Sequence, residues 1–438
     1  MPQNIRALFA VSIACLLPPS LSDAATAPPL PVASSPEAMG FSSARLGSLD
    51  AEMRKAVTSG QVMGLQYVLA RHGLVVSNHS YGHLSEGGGV LPDDAIFRIY
   101  SMSKPVTGVA MMILFEQGKW RLDDPVTKYL PELKGLKVFK GLDDKGQPRL
   151  EPAKRAPTMR ELMSHSAGFG YGISDQDPVD RMLQEKRVLE SAGLNDLVAK
   201  VAATPLLYQP GENWSYSIAV DLQGAIVERL SGQTLGQFMH DQIFAPLKMV
   251  DTGFLVSGDR ADRLASVYYE DPQTHKLVEA RETADHRAVQ DYTKPPVMES
   301  GGGGLVSTTR DYARFAQMLA NRGQLDGARI LSPASVALMG VNVVPAEVRD
   351  SATGILAERL NRHVGFGLDV EVEIDARQAG SLEGDGTMSW GGAAGTWFWV
   401  DPTNDVVFVG MIQRFGRVDD IPLLARTLVY QALVDPKK

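Results

Sequence analysis

Cysteine is almost absent from this sequence: Cys15 is the only one among 438 residues. That excludes an internal disulfide framework and a cysteine-based zinc cluster. Positive charge is also in deficit, with 43 Lys+Arg against 51 Asp+Glu and a formal net charge of −8. Such a balance argues against nucleic acid as the main partner. Apolar runs such as Ala7–Leu17 and Val109–Phe115 are too short to cross a bilayer, which needs about 20 residues. The G-x-S-x-G elbow, H-E-x-x-H, the phosphate-binding P-loop and G-x-G-x-x-G are all missing, as is any internal repeat. The commonest hydrolase, zinc-protease and nucleotide signatures are thereby set aside. His72, His79 and His83 cluster without an acidic ligand pattern and read as surface or packing residues, so neither metal nor cofactor is expected.

What is present begins with an address. Arg6 precedes the apolar run Ala7–Leu17, and small residues follow at Ser22, Ala24, Ala25 and Ala27. This is the pattern of a secretory signal peptide over residues 1–24, cut near Ala24 or Ala25. Ser12 stands where a lipoprotein box prefers a large aliphatic residue, so Cys15 is expected to leave with the peptide. Removing one Arg and one Asp keeps the mature charge at −8, and a periplasmic or secreted protein is expected.

Hydrophobic residues make up 44 % and charged residues 21 %, enough for a large packed core. Residues 25–37, rich in Pro, Ala and Ser, read as a flexible leader. Ser42 is placed to cap a helix carrying Leu46, Leu49, Met53 and Val57. Tyr67–Arg71 and Leu74–Ser77 flank His72-Gly73 as a hairpin. A helix buried on all sides is expected from about Ser101 through Val109–Phe115. Helices follow at Asp221–Leu230, Leu235–Phe244 and Asp311–Asn321, with Lys134–Arg155 as a solvated loop. Strands return at Gly367–Val372, Gly395–Val400 and Val406–Ile412, before a last helix from about Asp420 to Val434. Strands at both ends with helices between them imply one mixed domain, 38–115 with 300–438, interrupted by a helical insertion over 116–299.

The candidate chemistry is Ser101-Met102-Ser103-Lys104. Positions i and i+3 share a helix face, so the Ser101 hydroxyl and the Lys104 amine can meet. Serine needs a base to become a nucleophile, and desolvation of a lysine favours its neutral form. A helix N-terminus beside the serine would also favour a developing oxyanion.

Phe97-Arg98-Ile99-Tyr100-Ser101-Met102-Ser103-Lys104-Pro105, with Gly118-Lys119 and Leu122–Val126 after it, resembles the serine β-lactamase and penicillin-binding-protein superfamily. The likeness is greatest to its class C-like esterase branch, the family VIII carboxylesterases. Thr158–Gly168, Pro210-Gly211 with Tyr216–Asp221, Glu299–Thr308 and Trp390-Gly391-Gly392 continue the resemblance in order. It covers roughly residues 38–433. The resemblance implies an α+β, β-lactamase/transpeptidase-like fold: an antiparallel sheet flanked by helices, with an inserted helical lobe. It implies Ser101 as the acyl-accepting nucleophile, with Lys104 and Tyr216 sharing the base role. The backbone N–H groups of Ser101 and Ala393 would form the oxyanion hole, and Trp390, Gly391 and Gly392 would border the substrate. His165 is expected to be structural, and Gly301–Gly304 to be a tight loop rather than a phosphate cradle.

Departures from the family pattern bear on the substrate. Trp390 replaces the lysine of the usual Lys-Thr/Ser-Gly element, and Ile218 replaces the asparagine of Tyr-x-Asn. The deacylating glutamate of class A enzymes has no counterpart. Both replaced groups are polar ones that would hold a β-lactam, so a neutral ester with a small acyl group is expected as the small-molecule partner. A β-lactamase, a D-amino-acid peptidase or amidase, an acyltransferase, and a catalytically silent peptidoglycan-binding protein are the alternatives.

Overall fold

The computed structural model describes residues 28–280, 290–350, 352–416, 418 and 420–437. The expected signal segment therefore lies outside the described residues. Ser42 caps helix α1 (Ser43–Thr58) by accepting from the Arg45 amide, and Leu46, Leu49, Met53 and Ala56 form its buried stripe. The hairpin follows as β1 (Gly64–Arg71) and β2 (Leu74–Gly82). His72 and Gly73 both take positive φ, 53° and 77°, the primed-turn geometry that suits the strand twist. Helix α2 (Ser103–Glu116) is buried on every side from Ser103 to Leu114. Then come α3 (Ala219–Ser231) and α4 (Thr309–Ala320). Strands β3 (Val364–Phe366), β4 (Glu371–Glu373), β5 (Met388–Gly391), β6 (Trp397–Asp401) and β7 (Val406–Met411) precede the final helix α5 (Asp420–Ala432).

The seven strands form one sheet in the order β3-β4-β5-β6-β7-β1-β2, antiparallel at every pairing. Alternate side chains serve opposite faces. Tyr67, Leu69, Trp397, Trp399 and Phe408 face α1 and α5. Val68, Ala70, Phe398, Val400, Val407 and Val409 join the larger core that contains α2 and α4. Burial on both faces is why Val406–Met411 is apolar without alternation. Tyr312 of α4 ties that core to the site: its ring meets Phe398 at 5.1 Å, and its hydroxyl donates to the Met102 carbonyl at 2.9 Å.

Three expectations change. The stretch Lys134–Arg155 is not a bare loop but carries an antiparallel pair, Lys137–Leu142 with Pro148–Pro152. Asp143 organises its turn by accepting from the Lys145 and Gln147 amides, and Val138 is buried. Gly367–Val372 is not one strand, because Asp369 takes φ 61° and Gly367 N–H donates to the Val370 carbonyl in a turn between β3 and β4. The described end of the leader is docked: Leu30 is buried, Val75 N–H donates to Pro31 and Ala33 N–H to Val75.

Candidate active site

Two short strands, Ile96–Arg98 and Val306–Thr308, pair antiparallel and bring the glycine run against the start of α2. Between strand and helix the chain makes a 3₁₀ turn, Tyr100–Met102, so Ser101 sits two residues ahead of α2. Tyr100 carries φ 42°, a left-handed conformation that costs free energy and here turns Ser101 toward the cavity.

Lys104 is fully buried in the first turn of α2. Its ammonium has three protons and three acceptors: Gly302 O at 2.7 Å, Tyr171 Oη at 2.8 Å and Ser101 Oγ at 3.3 Å. The Ser101–Lys104 pairing expected from i, i+3 spacing is therefore present.

Tyr171 was not anticipated. The sequence places it three residues after Gly168, in a loop with no periodicity that would tie it to α2. Its position is set from behind, where Asp180 Oδ1 accepts from the Tyr171 amide at 2.8 Å. Burial pushes its phenol well above the usual tyrosine range, and Tyr216 and Asp221 add to that, while contact with the Ser101 hydroxyl works the other way. Tyr216 lies beside it, the two rings edge to face at 5.1 Å. The Lys104 Nζ stands 4.4 Å from the centre of the Tyr216 ring, over its face. The Tyr216 hydroxyl makes no well-formed hydrogen bond of its own, yet it is near enough to the Tyr171 hydroxyl to act on it. Two phenols, not one, thus meet the serine–lysine pair.

His165 supports Tyr216 from the rear, ring to ring at 4.9 Å. Its Nδ1 accepts from the Ser217 amide at 3.2 Å. Burial, with help from the charge of Lys104, lowers this histidine well below its ordinary value. Its ring also packs against Trp214 and Phe366, at 6.0 and 5.3 Å.

Trp390 is buried against Phe366 and Tyr216, with the Arg359 guanidinium 4.9 Å above its ring, and it also lines the cavity. Beyond it Gly391, Gly392 and Ala393 leave β5 in a tight turn closed by Gly392 N–H donating to Thr396 O at 2.7 Å. A side chain at Gly392 would collide with the Ile99 carbonyl and the Thr396 hydroxyl. Glycine there lets the end of β5 approach the turn that carries Ser101. Ser101 and Ala393 accordingly border the same cavity of about 1380 Å³.

The glycine run is a clamp. Asp221 Oδ1 accepts from Ser300 Oγ at 2.5 Å and from the Gly302 amide at 3.1 Å. Gly301 O accepts from Thr107 at 2.8 Å. A side chain at Gly302 would run into the Asp221 carboxylate. Held this way, the Gly302 carbonyl is presented to Lys104.

With this geometry in place, known proteins can be set beside it. The beta-lactamase family matches residues 49–432. The chain belongs to the beta-lactamase family. An uncharacterized protein of Mycobacterium tuberculosis is 35 % identical over 370 residues, 83 % of this chain and 89 % of that one. Esterase EstB of Burkholderia gladioli is 30 % identical over 380 residues, 83 % of this chain and 89 % of the relative. Among solved structures, "EstCE1, a hydrolase with promiscuous acyltransferase activity" superimposes with a TM-score of 0.73 and 27 % identity, covering 88 % of this chain and 98 % of that chain. The sheet and its helices are therefore the β-lactamase/transpeptidase-like fold, and the protein is a hydrolase of this family with an esterase among its relatives.

Proposed function

We propose that the protein is a serine carboxylesterase that works through an acyl-enzyme on Ser101. The observation that carries this reading is the chain Ser101 Oγ–Lys104 Nζ–Tyr171 Oη, with contacts of 3.3 and 2.8 Å. In the reactive state Lys104 is neutral, and its nitrogen takes the Ser101 proton as Oγ bonds to the ester carbonyl carbon. The carbonyl π electrons move onto oxygen, and the N–H groups of Ser101 and Ala393 receive the oxyanion. Collapse breaks the carbon–alkoxide bond, and the proton held by Lys104 passes through the phenols of Tyr171 and Tyr216 to the departing oxygen. Water then enters along the same path, gives up its proton to the base, and releases the acid with Ser101 restored.

The substrate follows from what borders the site. By the family resemblance Trp390 and Ile218 replace the lysine and asparagine of penicillin-recognising members, which on this reading deprives a β-lactam or a D-amino-acid peptide of its usual anchors. The similarity to EstB supports an ester. The cavity of about 1380 Å³ exceeds what a small acyl group fills, so the bulk of the substrate is placed away from the reacting carbonyl. The same room favours one second reading, acyl transfer to an alcohol bound beside the acyl-enzyme, in line with the activity named for EstCE1.

The test is hydrolysis of p-nitrophenyl butyrate by the wild type and by Ser101→Ala, with mass spectrometry of a fluorophosphonate adduct. Loss of turnover in the variant and label on Ser101 are expected. Undiminished hydrolysis by Ser101→Ala sinks the proposal. Ester product formed when a primary alcohol is added would establish the transfer reading.

A further inference from the structure

Nothing at the hydroxyl end of Tyr216 ties the ring down, because its Oη makes no well-formed hydrogen bond. The place of the phenol is therefore set by the backbone on either side of it and by the surfaces its ring touches.

Both chain neighbours of Tyr216 are held by the same residue. The His165 carbonyl accepts from the Ser215 amide at 3.2 Å, and the Nδ1 of the His165 ring accepts from the Ser217 amide, also at 3.2 Å. Between those two points the imidazole meets the Tyr216 ring at 4.9 Å. His165 thus brackets Tyr216 with its main chain on one side and its side chain on the other. The pairing of the two segments continues where the Gly170 carbonyl accepts from the Ile218 amide at 3.0 Å. Tyr171 follows at once, so the stretch that grips Tyr216 leads directly into the second phenol.

A ring nitrogen that accepts from an N–H carries no proton, so the His165 proton is on Nε2. Ser217 Oγ, 2.9 Å from Nδ1, then meets that nitrogen as a second donor. The arrangement is costly. His165 takes φ 59°, a left-handed conformation that disfavours most side chains. Its buried Nε2 finds no hydrogen-bond partner among the described residues. Space among Trp214 and Phe366 could be filled by an apolar side chain, but such a side chain would lack the acceptor at Nδ1.

We propose that His165 is a positioning residue for the proton path: in its Nε2–H form it clamps Ser215 and Ser217 and so aims the Tyr216 hydroxyl at the departing alcohol. His165 itself touches neither substrate nor Ser101. The inference rests on the reading of Tyr216 as a group that protonates the leaving oxygen.

The test compares ethyl butyrate with p-nitrophenyl butyrate, since an alkoxide needs a proton to leave and p-nitrophenolate does not. The ratio of kcat/KM for the aryl ester to that for the alkyl ester reports acylation, and within one variant loss of folded protein cancels. His165→Phe keeps a ring and removes the Nδ1 acceptor, and is expected to raise this ratio by about tenfold or more. His165→Asn places an amide oxygen as many bonds from Cβ as Nδ1 and tolerates the left-handed backbone. Its ratio is expected to stay near that of the wild type. A ratio unmoved in His165→Phe, or an asparagine variant that does not rescue it, overturns the proposal. Should His165→Phe not fold, His165→Gln takes its place, because its amide reaches toward Nε2 and leaves no acceptor at Nδ1. If that variant does not fold either, the role is structural and the proposal falls. Tyr216→Phe is measured alongside. If it leaves the ratio unmoved, the proton path through Tyr216 fails by itself. Nitrogen-15 NMR of histidine-labelled wild type then decides the clamp, with the His165 signals identified by their loss in His165→Asn. A bare Nδ1 with the proton on Nε2 upholds the clamp, and a proton on Nδ1 removes it.

Discussion

Gly392 packs its Cα against the backbone carbonyl of Ile99, so closely that no side chain fits between them. This contact sets the distance between the end of β5 and the turn bearing Ser101. A methyl group at residue 392 has backbone on one side and the Thr396 hydroxyl on the other, and backbone does not yield easily. Gly392→Ala is therefore expected to part Ala393 from Ser101 and lower kcat for p-nitrophenyl butyrate by roughly 10²-fold, the scale of losing an oxyanion-hole donor. Circular dichroism should remain native, because the seven-stranded sheet does not depend on that turn. Activity within a factor of a few of the wild type would show that the turn does not hold the oxyanion.

The two phenols make a separable prediction. Tyr171 holds the hydrogen bond to Lys104, whereas Tyr216 offers Lys104 its ring and Tyr171 its hydroxyl. Phenylalanine keeps both rings and removes one oxygen at a time. Tyr171→Phe deprives buried Lys104 of an acceptor and is expected to cut kcat by about 10²-fold, as for loss of a general acid–base group. Tyr216→Phe leaves all three acceptors of Lys104 in place. If Tyr216 protonates the departing alcohol, its loss is largest for alkyl esters and small for p-nitrophenyl esters, whose leaving group needs no proton. Comparing the two ester types in each variant assigns the proton path.

How far the site was legible in the sequence follows the range of the interactions. Ser101 and Lys104 are one helical turn apart, so local geometry alone brings them together. The His72-Gly73 hairpin is equally local. Tyr171 is 67 residues from Lys104, and its place depends on Asp180 holding a loop, which no periodicity announces. Tyr216 was reached through a family resemblance, which located the residue but not the orientation of its hydroxyl. The apolar residues Leu368, Val370 and Val372 alternate as a strand would, but Asp369 reverses the chain between them. In Lys134–Arg155 the many charges mask the pairing of two short strands, only one side of which meets the core.

Asp221 acts on Lys104 through the glycine clamp and is a positioning residue. Asparagine retains an oxygen able to accept from Ser300 and Gly302, whereas alanine leaves both donors without an acceptor. Asp221→Ala is expected to lose about 1.5–3 kcal/mol of stability, the range for a hydrogen-bonded charged group, along with most of its kcat. Asp221→Asn should recover the larger part of both. A purely structural role would restore stability and activity in parallel. A positioning role predicts in addition that whatever loss remains in Asp221→Asn falls on kcat and leaves KM unchanged, because the Gly302 carbonyl that Asp221 holds in place meets Lys104 and not the substrate.

A last prediction concerns pH and stability away from the cavity. Asp311 begins α4, where Oδ2 accepts from the Asp251 amide and the Thr252 hydroxyl, both at 2.8 Å, while Oδ1 is buried without a donor. Burial pushes its carboxyl up to about 7, over the opposing hydrogen bonds from Thr252 and the Asp251 amide. An acid whose value is raised by folding binds more protons in the folded state than in the unfolded one. Its contribution is most favourable below the unfolded value of about 3.9. That contribution erodes as pH rises toward the folded value of about 7 and is constant above it. Asp311→Asn removes this pH dependence and keeps an oxygen for the two donors. The melting temperature of the variant relative to the wild type should therefore rise by a few degrees between pH 5 and pH 8, and the gap should level off at higher pH. Thermal unfolding of both proteins across that range checks the sign. A difference that is flat with pH, or that grows toward acid, would show that Asp311 is ionised in the folded protein at no cost.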